Sequence, residues 1–414
     1  MRRDYLFWLT ATTSDMLSRA VWSLALPFVI FALTSSTATA GLVQSLGQIA
    51  YLCVMLLGGA LVDRISRRTG MVVRGLTGMV LWIGFGVLVW THLLNLWILI
   101  AIFLTAQLLD GLFGMADNAA LRSIVHDDEQ FVQVTGINQG REAAVRIGGG
   151  PIGGLLYALG AAVPFLVSGA LLGLVIASAK AIRADLRPPV VAENRPEQRR
   201  GIVRSVAQGI SFMWSQRIMR TLAITSLFIN AAFSIVISTA MLGLLGAGYT
   251  ALQLAYLETV YGVVMMLTAF VAARLVSRLP TGRLLIGAQL FMMVVAVGAA
   301  FWHSYAMLFL WLSLYGLVTP LFATSLSGYT FARTPDHLQG RVRSVAALLE
   351  LSATMVIPAV AGWMVNSGHN TPSYLLGAVL ALVGIIVVCV NPGARRLGPT
   401  RMWREDATEN SLST

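Results

Sequence analysis

Gly59-Ala60-Leu61-Val62-Asp63-Arg64-Ile65-Ser66-Arg67-Arg68 sets one acid and three arginines directly behind a long apolar run. The run before it, 40–62, is long and apolar enough to cross a bilayer, which takes about 20 such residues. The run after it, 71–90, reads the same way. The decapeptide is therefore a short charged loop between two spans. Outward from it the pattern repeats, giving twelve spans: 5–33, 40–62, 71–90, 96–117, 134–157, 163–182, 222–244, 252–275, 284–302, 306–331, 345–364 and 374–390.

Composition agrees with this. The chain is 57% apolar and 11% charged, where soluble domains carry about 25% charged residues. All 29 Lys and Arg can be placed on one side of a membrane or inside a span. Segments 33–39, 91–95, 159–162, 245–251, 303–305 and 365–372 contain neither. Retained basic loops mark the cytoplasmic face. The expectation is a multi-pass protein of a bacterial inner membrane, in contact with lipid, with both termini cytoplasmic. The same bias accounts for the net charge of +11, so no nucleic-acid partner is expected. An aromatic belt is expected at the outer boundary from Trp90, Trp97, Trp302, Tyr305 and Tyr374. Cys53 and Cys389 lie in apolar spans and read as small core residues. The five histidines fall in loops or span ends without metal spacing. There is no P-loop, no Gly-x-Ser-x-Gly element and no catalytic constellation. Neither an enzyme nor a cofactor or metal is expected.

The spans divide into two sets of six. Residues 1–182 form one bundle and 221–390 the other, joined by a cytoplasmic linker, 183–220. The tail 391–414 is polar and expected to be disordered. The linker holds Pro188, Pro189 and Pro196 among six arginines, then a stripe of Ile202, Val206, Ile210, Met213 and Trp214 at helical spacing. That stripe predicts an amphipathic helix, either lying at the inner surface or extending the seventh span. Echoes between the halves indicate a duplication. Leu61-Val62-Asp63-Arg64 parallels Leu275-Val276-Ser277-Arg278, and Pro151 parallels Pro358.

The decapeptide resembles the signature loop of the major facilitator superfamily, G-x-L-x-D-R-x-G-R-R/K, departing only at Ser66. Residues 2–68 look most like the bacterial drug, macrolide and siderophore exporters of that superfamily. Pro335, Asp336, Gly340, Arg341 and Val342 resemble that branch's loop before the eleventh span. The resemblance implies an all-α membrane protein of twelve transmembrane helices in two six-helix bundles. It also implies a cytoplasmic gate made by Gly59, Asp63, Arg64, Arg67 and Arg68, in which Asp63 meets the N-terminus of the eleventh span. Gly150, Pro151, Gly153 and Gly154 resemble the family's G-P-x-x-G-G element with one spacer missing, and imply close packing and a kink. The family's fourth-span R-x-x-Q-G is present only as Gln107, Asp110 and Gly111, without the arginine.

Charges inside spans cost at least ~2.5–3.5 kcal/mol, so each is a functional candidate. Asp15 lies near mid-bilayer in the first span. Arg19 follows one turn later, and the two either neutralise each other or leave Asp15 for a proton or a cationic substrate. Asp110 is an unusual acid in a cavity-lining span. Glu142 and Arg146, with Arg141 adjoining, read as a structural bridge. Glu258 has no local basic partner, whereas Glu350 has Arg341 and Arg343 nearby. Trp22, Gln107, Asn230, Phe233 and Tyr315 complete a cavity wall suited to apolar ligands. The expected function is proton-coupled export of small amphipathic compounds by a monomer through alternating access. The alternatives are a dedicated exporter of a siderophore or self-made metabolite, and a membrane sensor or partner subunit that does not transport.

Overall fold

The computed structural model describes residues 2–62, 65–114, 120–121, 124, 128–184, 186, 202–335, 338–399 and 403. Among these there are helices and no strands. Two compact units result, one of Met1–Arg195 with Leu245–Thr259, the other of Pro196–Leu244 with Val260–Thr414.

The first unit contains α1 (Arg2–Thr34), α2 (Thr37–Val62), α3 (Arg67–Trp90), α4 (Leu96–Phe113), α5 (Asp128–Leu159) and α6 (Val163–Ala181). Helix α6 packs on α1 and α3, α4 packs on α2, and α5 packs on α1. Its aromatic core joins Trp82 and Phe85 of α3 to Phe165 of α6, with Phe85 and Phe165 centroids 4.4 Å apart. Ser18 and Ser168 each donate a hydroxyl to the other's carbonyl at 3.1 Å, tying α1 to α6 inside that core. In the lipid phase such polar groups must be satisfied within the protein.

The second unit contains α7 (Ile202–Ser215), then α8 (Arg217–Gly246) and α9 (Ala251–Arg278), both of which run across the division between the units. It continues with α10 (Thr281–Phe301), α11 (Tyr305–Arg333), α12 (Gln339–Thr354), α13 (Ile357–Asn366), α14 (Asn370–Val390) and α15 (Pro392–Arg395). Helices α12 and α13 are one span interrupted at Met355 and Val356, just before Pro358. Helix α10 packs on α11 and α14, and Thr239 of α8 shares a hydrogen bond with Ser373 of α14 at 2.6 Å.

Eleven helices among the described residues are long and apolar enough to cross a membrane. The expected fifth span is absent from that set. Its helix, α5, is 32 residues long, but its first half is polar. The linker stripe forms a separate helix, α7, broken from α8 at Gln216. Gly209 of α7 sits against the Arg341 carbonyl of α12, and Met213 is buried, while Ile210 and Trp214 stay exposed.

Three expectations change. The tail is ordered over Asn391–Pro399, because its backbone pairs with α10: Thr281 and Gly282 donate to the Gly398 and Leu397 carbonyls at 3.3 and 3.1 Å. Trp403 is then buried, donating to Thr281 Oγ1 at 3.2 Å and meeting Tyr329 edge-on. Cys53 is exposed and Cys389 half-buried, so neither is a core residue. Trp90, Trp97 and Trp302 face outward as a belt requires, but Tyr374 is buried and stacks with His303.

Candidate transport site

Four charged side chains meet inside the first unit. Asp15 and Arg19 share one face of α1, one turn apart, as their spacing predicts. Arg19 Nε donates to Asp15 Oδ2 at 3.2 Å, and both Arg19 Nη atoms donate to the Asp110 carboxylate of α4, Nη2 at 2.5 Å. Arg74 of α3 completes the set. Its Nε donates to Asp110 Oδ1 at 2.9 Å and its Nη2 to Asp15 Oδ1 at 2.5 Å. Each acid is held by two guanidiniums and each guanidinium by two acids. The cluster is neutral, as charges withdrawn from water must be.

Arg74 was not among the sequence candidates. Asp15 is consequently not a lone acid, and Asp110 lacks the fourth-span arginine only to gain two arginines from α1 and α3. Arg19 is the accessible member at 39% side-chain exposure, against 9% for Arg74 and Asp15. With Trp22, Trp82 and Gln107 the cluster lines a cavity of about 40 Å³, room for little more than water. Trp22 stacks on Trp82 at 4.6 Å.

The second unit holds a cavity of about 850 Å³ between α8, α11 and α12. Asn230 and Phe233 line it, with Phe322, Phe331, Arg343 and Glu350. Asn230 Nδ2 donates to the Ser226 carbonyl at 2.8 Å. Tyr315 does not line it. That ring is buried, 5.2 Å from Phe233, and is part of the packing. Glu350 makes no ion pair among the described residues, because Arg341 turns instead to Gln208 Oε1 at 2.7 Å.

The expected Glu142–Arg146 bridge does not form among the described residues. Arg146 is exposed, and the neighbouring Arg141 is the one that reaches inward. Arg141 donates to Thr12 Oγ1, to the Leu9 carbonyl at 3.2 Å and to Thr13 Oγ1 at 3.1 Å, with its guanidinium over Trp8. Glu258 of α9 has no hydrogen-bond or ion-pair partner among the described residues. It stands opposite Gly150, where a Cβ would lie 3.6 Å from its Oε2. Gly153 and Gly154 bring backbones together: a Cβ on Gly154 would lie 2.9 Å from Leu252 Cα, and one on Gly153 3.1 Å from the Val21 carbonyl. Pro151 lies within α5.

Of the gate residues, Asp63 and Arg64 lie outside the described residues, and Gly59 is in α2. Arg68 Nη2 donates to the Ile182 and Ala184 carbonyls at 2.5 and 3.1 Å, and Arg67 N to the Leu186 carbonyl at 3.0 Å. Both pin the chain leaving α6. Asp4 accepts from the Arg183 and Ala184 amides of the same segment. Gly58, not singled out by the sequence, makes the close approach to the Gly111 and Leu112 carbonyls of α4.

A family model described as Major Facilitator Superfamily matches residues 8–349. The chain belongs to the Major Facilitator Superfamily. Among solved structures, the nucleoside transporter NupG superposes with a TM-score of 0.73 at 13% identity, covering 94% of this chain and 99% of its own. A bacterial homologue of the iron transporter ferroportin gives 0.70 at 14% identity, covering 93% and 97%. A bacterial homologue of the lysosomal transporter Spinster gives 0.66 at 13%, covering 99% and 98%. At such identities these likenesses establish the fold alone. No curated protein matches the sequence. Family and fold make this superfamily member a multi-pass transporter rather than an enzyme.

Proposed function

We propose that this superfamily member is a proton-coupled secondary transporter that exports small amphipathic compounds by alternating access. The observation that carries the reading is the Asp15–Arg19–Arg74–Asp110 cluster. Taking four charges out of water costs several kcal/mol per ion before pairing, and well-packed apolar residues would serve a scaffold as well or better. The cluster is neutral with both acids ionised. Protonating one carboxylate leaves an excess positive charge and weakens one contact of each guanidinium, leaving both on the other acid. It is thus a two-state link among α1, α3 and α4 that a proton can throw. The roomy, aromatic-walled cavity of the second unit favours drug-like ligands over sugars. The transporter acts as a monomer in a bacterial inner membrane, with lipid around it and both termini in the cytoplasm. The signature loop 59–68 serves as its cytoplasmic gate.

The test is the purified chain in proteoliposomes. An imposed proton gradient should drive movement of a fluorescent organic cation such as ethidium against its own gradient. Addition of that cation should in turn discharge the proton gradient. Asp110→Asn and Asp15→Asn should abolish the exchange while leaving downhill binding in place. Equal transport with the proton gradient collapsed by an ionophore would refute proton coupling.

A further inference from the structure

The cavity of the second unit contains two charged side chains of opposite sign on one face of α12, Arg343 and Glu350, seven residues apart. Depth distinguishes them. Arg343 lies four residues past the start of α12, or ~6 Å along the axis, within reach of the interface for a long side chain. Glu350 lies eleven residues past it, or ~16 Å, and five residues inside the eleventh span as the sequence bounds it, 345–364. Its shorter side chain is exposed and opens into the cavity. The charge of Arg343 is explained by its position. That of Glu350 is not.

A second feature is the break in the span that follows. Thr354 follows Glu350 by one turn on the same face, and the span is interrupted at Met355 and Val356. Pro358 has no N–H to give to the Thr354 carbonyl, the partner that an unbroken helix would supply. The carbonyl end of α12 therefore lies one turn beyond the carboxylate, directly before the start of α13 at Ile357. Interrupted spans at mid-depth are where transporters of this general build coordinate charged ligands. Phe233, Phe322 and Phe331 in the same wall supply the aromatic surface that lipophilic cations favour. A volume of about 850 Å³ suits an organic ion and far exceeds what a metal ion fills. Asp15 and Asp110 of the first unit are already matched by Arg19 and Arg74, so those two offer no free negative charge.

We infer that Glu350 is the specificity-determining acid of a site for lipophilic organic cations in the second unit, with the aromatic wall taking the body of the ligand. The inference deepens the export reading and rests on it for the direction of transport only.

Equilibrium binding to the full chain in nanodiscs tests it without any gradient. The probes are tetraphenylphosphonium and its near-isosteric anion, tetraphenylborate. Wild type should prefer the cation. Glu350→Gln should weaken tetraphenylphosphonium by about tenfold or more, and Glu350→Asp by no more than about threefold, with tetraphenylborate not weakened by either. A further measurement uses wild type alone: tetraphenylphosphonium should protect Glu350 from labelling by a hydrophobic carbodiimide, read by peptide mass, and tetraphenylborate should not. Unchanged cation binding in Glu350→Gln, equal loss of both ions, no wild-type preference for the cation, or no protection would each overturn the inference. Charge-selective binding that persists while proton-driven export fails would strike the transport reading and leave this site standing.

Discussion

Arg74 grips both Asp15 and Asp110 at once, and only 9% of its side chain is exposed. Arg74→Leu should leave two carboxylates facing only Arg19. Removing one partner of a buried ionic set typically costs about 3–5 kcal/mol. Thermal unfolding in detergent should show the loss plainly, and Arg74→Lys should recover only part of it, since a point charge cannot fork between two carboxylates. An unchanged melting temperature in Arg74→Leu would mean that the cluster bears no structural load. Three of the four members of this cluster were named from the sequence, but only the Asp15–Arg19 pairing among them. Asp15 and Arg19 are one turn apart on one helix, and helical periodicity brings them together. Arg74 meets Asp15 across 59 positions and Asp110 across 36, and no local spacing rule reports a contact of that range. Glu142 and Arg146 show the converse: the spacing permits a bridge, and the structure does not make it.

At the scale of elements, the glycines of α5 are not equivalent. A Cβ on Gly154 meets the Leu252 and Ala251 backbone of α9 at 2.9 to 3.1 Å, whereas one on Gly150 meets only ordinary contacts from 3.6 Å outward. Backbone cannot rotate aside as a side chain can, so Gly154→Ala should cost about 1–3 kcal/mol through overpacking, and Gly150→Ala should be nearly silent. Comparing the two variants' melting temperatures checks this directly, and similar values would refute the contact. The small-residue pattern marked α5 as a packing helix from sequence, but which glycine touches backbone depends on the register of α5 against α9. The tail teaches a related point. Its polarity suggested disorder, yet one buried tryptophan at 5% exposure and two backbone hydrogen bonds fasten it to α10 and α11. Trp403→Ala should cost about 3–5 kcal/mol if the site cannot collapse. It should also open the segment after Val390 to protease, and an unchanged cleavage rate would count against the strap.

For the whole molecule, the question is parity. Among the described residues eleven helices qualify as spans by length and apolarity, and of the twelve expected spans the fifth, α5, falls short. If α5 did not cross, every segment after it would change sides. The six arginines of 183–204 would then lie outside, and the Lys- and Arg-free segments 245–251, 303–305 and 365–372 would lie inside. That arrangement inverts the bias that sets topology. Helix α5 is long enough at ~48 Å for 32 residues, and two polar side chains of its first half are spent on α1, Arg141 on hydroxyls and a carbonyl and Asn138 on the Tyr5 hydroxyl. Composition scores a helix as though lipid surrounded it, and so it undervalues one whose polar groups are spent on neighbours. With Cys53 and Cys389 replaced, Ala161→Cys should therefore react with a membrane-impermeant maleimide on intact cells. Ala192→Cys should react only after lysis. The opposite pattern would show that α5 stays on one side, and the placement of both termini in the cytoplasm would fall with it.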